Sequence, residues 1–151
     1  MTDPIIKTVV VNAAPQQAFD IFVKRTASWW PLNRHAVSAG AGKAALGVVI
    51  ETEVGGAVYE VMHDGARAKW GEVLDYEVGR HFAMSWHPGT DPDKQTRVEV
   101  KFEDHGQGQT KVTLTHSGWE VWAAEAQTKR HGYNSGWDYV LATCFADAVG
   151  K

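Results

Sequence analysis

Between residues 47 and 118 the sequence alternates apolar and polar residues in one short run after another, with turn-forming residues between the runs. A period of two sends successive side chains to opposite faces of a strand, so each run reads as a strand with one face to bury. GVVIETEV and AVYEVMH are parted by Gly55-Gly56, and Asp64-Gly65 closes the second. ARAKWGEVLDYEVG and RHFAMSWH meet at Gly79, the loop HPGTDPDKQ comes next, and TRVEVKFEDH and QTKVTLTHSG join across Gly106-Gln107-Gly108. Links this short connect antiparallel neighbours and leave no space for crossover helices. Six strands in an antiparallel meander are expected, with IIKTVVVN (5–12) as a further strand at the start.

Helical signals bracket the meander. In AAPQQAFDIFVK, Pro15 falls where a helix begins and its missing N–H costs nothing, while Ala18, Phe19, Phe22 and Val23 form one stripe. Pro31 should break any helix running through Trp29-Trp30, making SWWP a lid or rim, and the small residues of 38–47 read as a loop. The final stretch NSGWDYVLATCFADAV places Trp137, Val140, Leu141, Cys144, Phe145 and Ala148 on one helical face, with Asn134 or Ser135 placed to cap it. An antiparallel sheet with one apolar face needs a cover, and this wide stripe supplies it, burying on the order of 10 kcal/mol as an upper bound. The expected fold is α+β: a seven-stranded curved antiparallel sheet wrapped around a long C-terminal helix. One or two short helices lie between the first and second strands, and a single domain spans 1–151.

Charge narrows the partners. A net charge of −3 and a pI of about 6.1 lack the basic face that a nucleic acid or an acidic membrane would select. No apolar run reaches membrane-spanning length, and MTDPIIKTVV lacks a signal-peptide core, so a cytoplasmic protein is expected. The single cysteine, Cys144, sits on the apolar helix face and reads as a small hydrophobe. Seven tryptophans exceed what a core of this size needs, and indole suits pocket walls as well as cores.

Strand parity says which side chains point toward the helix. Phe82, Met84 and Trp86 share one face; Val98, Val100 and Phe102 share another; Val112 and Leu114 face inward and carry His116 with them. An inward histidine needs a partner, either a backbone group near the rim or a ligand in a cavity. Trp70 and Glu72 share a face whose direction the sequence leaves open: inward, Glu72 is a buried carboxylate; outward, it is solvated. His63 and His87 lie at strand ends beside turns and are expected on the surface. GAGKAA lacks the phosphate-loop spacing, and the histidines form no HxH, HxxxH or HExxH pair. Asp91-Pro92-Asp93 is no calcium loop and no GxSxG elbow occurs, so neither a metal nor a cofactor is expected.

In order and spacing these elements resemble the SRPBCC (START/Bet v-like) superfamily with the helix-grip fold, and within it the AHSA-like group, named for the activator of a heat-shock chaperone's ATPase. VNAAPQQAFDIFVK, SWWP, the Gly55-Gly56 pair, WGEVLDYEVGRHFAMSW and THSGWEVW followed by HGYNSGWDYVLATCFADAV carry the resemblance over about residues 4–149. It departs at Glu77-Val78-Gly79-Arg80, where many relatives have a proline, and 151 residues leave no room for the extra N-terminal domain of the co-chaperone proper. The resemblance implies an apolar cavity between sheet and helix, used by relatives for lipids, hormones or polyketides. Carried over by position, its lining would be Phe82, Met84, Trp86, Val98, Val100, Phe102, Leu114 and His116 from strands, with Trp137 and Leu141 from the helix. Trp30, Trp70 and Glu72 are added from the reading of the residues themselves. The superfamily shares no catalytic residue, and none is carried over.

Three functions are compatible with these features. The first is a small protein binding an apolar or aromatic ligand, in a stress-response setting. The second is a cyclase, dehydratase or hydrolase in which His116 and Glu72 converge in the cavity. The third is a chaperone-interacting module with an exposed patch elsewhere. Monomer and homodimer are both open.

Overall fold

The computed structural model describes residues 3–150, so residues 1, 2 and 151 of the expected domain lie outside the described residues. Seven strands are present: β1 (Ile5–Val11), β2 (Gly47–Ile50), β3 (Ala57–Val61), β4 (Arg67–Glu77), β5 (His81–Trp86), β6 (Thr96–Gly106) and β7 (Gln109–Ser117). They form one antiparallel curved sheet in the order β1-β7-β6-β5-β4-β3-β2, the meander plus a first strand that returns to pair with the last. Ile5 lies opposite His116 and Val11 opposite Thr110.

β4 is where simple alternation fails. Its register slips twice, once against β3 at Trp70-Gly71 and once against β5 between Val73 and Asp75. Each extra residue is a β-bulge that reverses the facing of the residues beyond it. Trp70 and Val73 therefore both point inward, while Glu72 is turned out to solvent, where it pairs with Lys69 at 2.9 Å. The tight crossing requires glycine: a Cβ on Gly71 would lie 1.8 Å from the Ser85 carbonyl oxygen.

Between β1 and β2 run α1 (Pro15–Lys24) and α2 (Thr26–Trp29), followed by a 3-10 turn at Val37–Ala41. Pro31 ends α2 as expected, with Trp30 already extended (φ −64°, ψ 135°). After β7, a 3-10 segment Trp119–Glu125 leads into α3 (Ala126–Trp137), then a π-helical stretch Asp138–Phe145, then α4 (Ala146–Val149). The terminal helical run thus begins eight residues before Asn134, and neither Asn134 nor Ser135 caps it. The polar run AQTKRHGYNSG buries only Ala126 at its start, so no apolar stripe announced that part. Most of the predicted face is in place, with Trp137, Val140, Leu141 and Phe145 buried against the sheet and Cys144 half-buried. Ala148, however, is exposed and Ala146 is buried instead, because the wider π-helical turn through Asp138–Phe145 shifts the face.

One aromatic layer fills much of the space under the sheet. Phe22 of α1 meets Phe145 (ring centroids 5.2 Å apart) and Trp29 (5.0 Å), and Phe19 meets Phe102 (5.2 Å). Offset and edge-on pairs of this kind hold roughly 1 kcal/mol each beyond their burial. The α1 end of the interior is therefore solid.

Candidate aromatic cleft

The other end of the interior is not solid. A cleft of about 380 Å³ opens where the segment after Trp30, the end of β5 and the terminal helical run come together. Trp30, Trp86, Trp137 and Tyr133 supply its aromatic walls, and Arg34, His35 and Val37 line it from the segment after Pro31. Pro88 and Gly89 close it from the loop after β5, and Gly136 and Val140 from the helix.

Three of the residues named from the sequence, Trp30, Trp86 and Trp137, bound this cleft. Phe82, Met84, Val98, Val100, Phe102, Leu114 and Leu141 are at most 4% exposed and belong to the packed core instead, contributing no surface to it. The hollow expected along the whole sheet is confined to one end because α1 drives its phenylalanines into the rest. Trp70 stands one layer behind, 5.1 Å from Trp30 and 5.3 Å from Trp86. Glu72 is on the opposite face of the sheet from all of them. His87, expected on the surface, is 7% exposed, and its N–H donates to the Trp70 carbonyl at 2.6 Å.

His116 is wholly buried, and its partners fix its tautomer. An indole N–H can only donate, so the 2.9 Å contact from Trp137 Nε1 makes His116 Nδ1 the acceptor and puts the proton on Nε2. That proton goes to Thr96 Oγ1 at 2.7 Å, and the Thr96 hydroxyl donates onward to the Trp86 carbonyl at 3.2 Å. Trp119 stacks on the ring with centroids 4.2 Å apart. Burial pushes the His116 pKa down to about 3, so the ring is neutral. The partners of this inward histidine are thus two side chains, Trp137 and Thr96, and not the backbone group near the rim expected from the sequence, and Trp137 ties it to the cleft wall through one bond.

A buried carboxylate that sequence reading passed over sits beside the cleft. Glu60 is 0% exposed and accepts from Trp70 Nε1 (2.9 Å), the Val37 N–H (2.6 Å) and the Ser38 N–H (3.1 Å). A carboxylate with three N–H donors can remain buried at modest cost. It fastens the lip of the cleft to β3. Parity could have found it, since Val58 faces inward and Glu60 shares its side of the strand.

Five buried indoles have clear acceptors: Trp29 on Ile21 O, Trp30 on His35 O, Trp70 on Glu60, Trp119 on His116 O and Trp137 on His116. Trp86 differs. Its Nε1–H is buried and closes no hydrogen bond of normal geometry, although the Tyr133 hydroxyl lies near enough to feel it. Burial raises the Tyr133 pKa against a smaller opposing pull from that N–H. Trp86 and Tyr133 also bound a second recess of about 50 Å³, with Trp122 and Lys129 on its far side. His35 is held below the usual histidine value by burial first and by the neighbouring Arg34 charge second. The cleft thus offers neutral polar groups and one cation among aromatic walls. Among the described residues no group of side chains is arranged to hold a metal, and no helix is long and apolar enough to cross a membrane.

Comparison with known proteins agrees with the architecture. Residues 12–150 match the family described as Activator of Hsp90 ATPase homolog 1-like protein. The chain belongs to that family. No curated protein matches it. Among solved structures, an anthrahydroquino-gamma-pyrone synthase is 28% identical, with 98% of this chain and 97% of that one covered at a TM-score of 0.66. CalC, a self-sacrificing resistance protein from Micromonospora echinospora, is 24% identical over 97% of this chain and 94% of its own, with a TM-score of 0.73. The Aha1 dimer from Colwellia psychrerythraea is 16% identical, covering 98% and 96% at a TM-score of 0.67. The helix-grip architecture expected from the sequence is the observed one.

Proposed function

We propose that this family member binds a small, flat aromatic molecule in the cleft between Trp30, Trp86, Trp137 and Tyr133. The observation that carries this reading is the cleft itself: about 380 Å³ of space with aromatic walls, near the lower end of the roughly 300–1,000 Å³ usual for ligand sites. That volume suits about two or three fused rings. The Tyr133 hydroxyl, beside the Trp86 indole in the cleft wall, offers a ligand one polar group among the rings. The likeness to a pyrone synthase at 28% identity supports the same ligand class. It also favours a second, catalytic reading in which neutral His35 or Tyr133 moves a proton on the bound molecule. The pair expected from the sequence, His116 with Glu72, does not converge, since one is sealed in the core and the other faces solvent.

Titration of intrinsic Trp fluorescence with naphthalene, anthraquinone and flavonoid compounds tests the binding reading. Saturable quenching is expected, and Gly136→Leu, which pushes a side chain into the cleft beside His35, should weaken it at least tenfold with the far-ultraviolet circular dichroism unchanged. No quenching by any compound, or equal affinity in the filled variant, would overturn it. Product formation from a bound compound, lost in Tyr133→Phe or His35→Gln while binding persists, would establish the catalytic reading.

A further inference from the structure

Arg34 is the one cation lining the cleft, and no Asp or Glu lines it. Its guanidinium lies over the Tyr139 ring, 4.2 Å from the centroid, a contact that holds it in place and leaves its hydrogen-bonding edge free. Among the described residues no carboxylate comes within salt-bridge distance of it, although the chain as a whole carries a net charge of −3. Arg25, Arg67, Arg80 and Arg130 likewise have no carboxylate within that distance; what sets Arg34 apart is that it lines an aromatic cleft with no acidic side chain in it, which makes a place for a negative group there. Arginine's planar fork matches a carboxylate or a delocalised phenolate better than a lysine would.

We infer that the ligand of this cleft is an aromatic acid: a planar ring system lying among Trp30, Trp86 and Trp137, with an anionic carboxylate or acidic phenol oxygen facing Arg34. The inference rests on the binding reading above and adds the charge of the ligand to it. The rings gain apolar and stacking contact deep in the cleft, and the anion stays near the exposed Arg34 rather than being fully desolvated, which keeps its cost low.

A matched pair of probes separates the two claims. Anthraquinone-2-carboxylate and anthraquinone-2-carboxamide have the same rings and differ in charge. The carboxylate is expected to bind about tenfold more tightly at low salt, as one charge-assisted contact would give, and added salt should shrink that advantage. Arg34→Gln should remove the preference, bringing the ratio of carboxylate to carboxamide affinity down about tenfold to near one; because Arg34 is exposed, the variant should keep the wild-type dichroism spectrum. Equal affinity of the two probes for the wild-type protein overturns the charge assignment and leaves the aromatic cleft standing. A preference that survives in Arg34→Gln overturns the role of Arg34. Failure of both probes to bind at all overturns the inference together with the reading beneath it.

Discussion

Acid should destabilise this protein well before its carboxylates titrate, and His116 is the reason. Its pKa in the folded chain is about 3, against 6.5 for a free histidine, because burial disfavours the imidazolium. The unfolded chain therefore takes up the proton first. The stabilising contribution is fully present above pH 6.5 and is lost progressively as pH falls toward 3. Between about pH 7 and pH 5 a group with these two values loses about 2 kcal/mol, since only the unfolded form gains protons across that range. Urea unfolding followed by Trp fluorescence at the two pH values measures it. His35, also held low, contributes in the same direction, so the decisive quantity is the difference between wild type and His116→Gln. Glutamine offers an acceptor to Trp137 and a donor to Thr96 but does not titrate. The wild type should lose about 2 kcal/mol more than the variant over this range. Equal losses in the two proteins would refute the assignment of a sealed, neutral His116.

Other perturbations test the remaining contacts. Nitrogen-15 spectra of the His116 ring at neutral pH should show the proton on Nε2, and a proton on Nδ1 would contradict the Trp137 contact. Glu60→Gln sets an amide NH₂ against one of three N–H donors and should cost about 1–3 kcal/mol in urea unfolding; an unchanged midpoint would mean the carboxylate does not hold the lip. Gly71→Ala should cost about 3 kcal/mol or prevent folding, because its methyl would overlap the Ser85 carbonyl. By contrast, Gly132→Ala, in open space on α3, should raise stability by about 0.5–1 kcal/mol in the same unfolding assay.

The meander was legible because hydrophobic alternation reports directly on which face a strand buries. It failed in β4, where two extra residues reverse the facing of their successors: a bulge leaves no mark on composition, so Glu72 and Trp70 read as companions when they are on opposite faces. The terminal helix was visible only where it buries apolar residues, from Trp137 onward, and silent where α3 is polar. The cleft was legible in part. Trp30, Trp86 and Trp137 are suggested by an excess of tryptophan near the expected interior, but the extent of the hollow depends on how far Phe19 and Phe22 reach across the sheet, a tertiary fact no local pattern carries. Arg34 and His35 sit in irregular chain after Pro31, where periodicity has nothing to say about direction.

The grip of Glu60 on the segment after Pro31 is made through main-chain amides at positions 37 and 38. Such an anchor does not depend on which side chains those positions carry. Relatives could exchange the residue at 37, and with it the contour presented to a guest, while the polypeptide path stays fixed. A fold fastened in this way can change its appetite by small substitutions along one lip without rebuilding the frame that supports it.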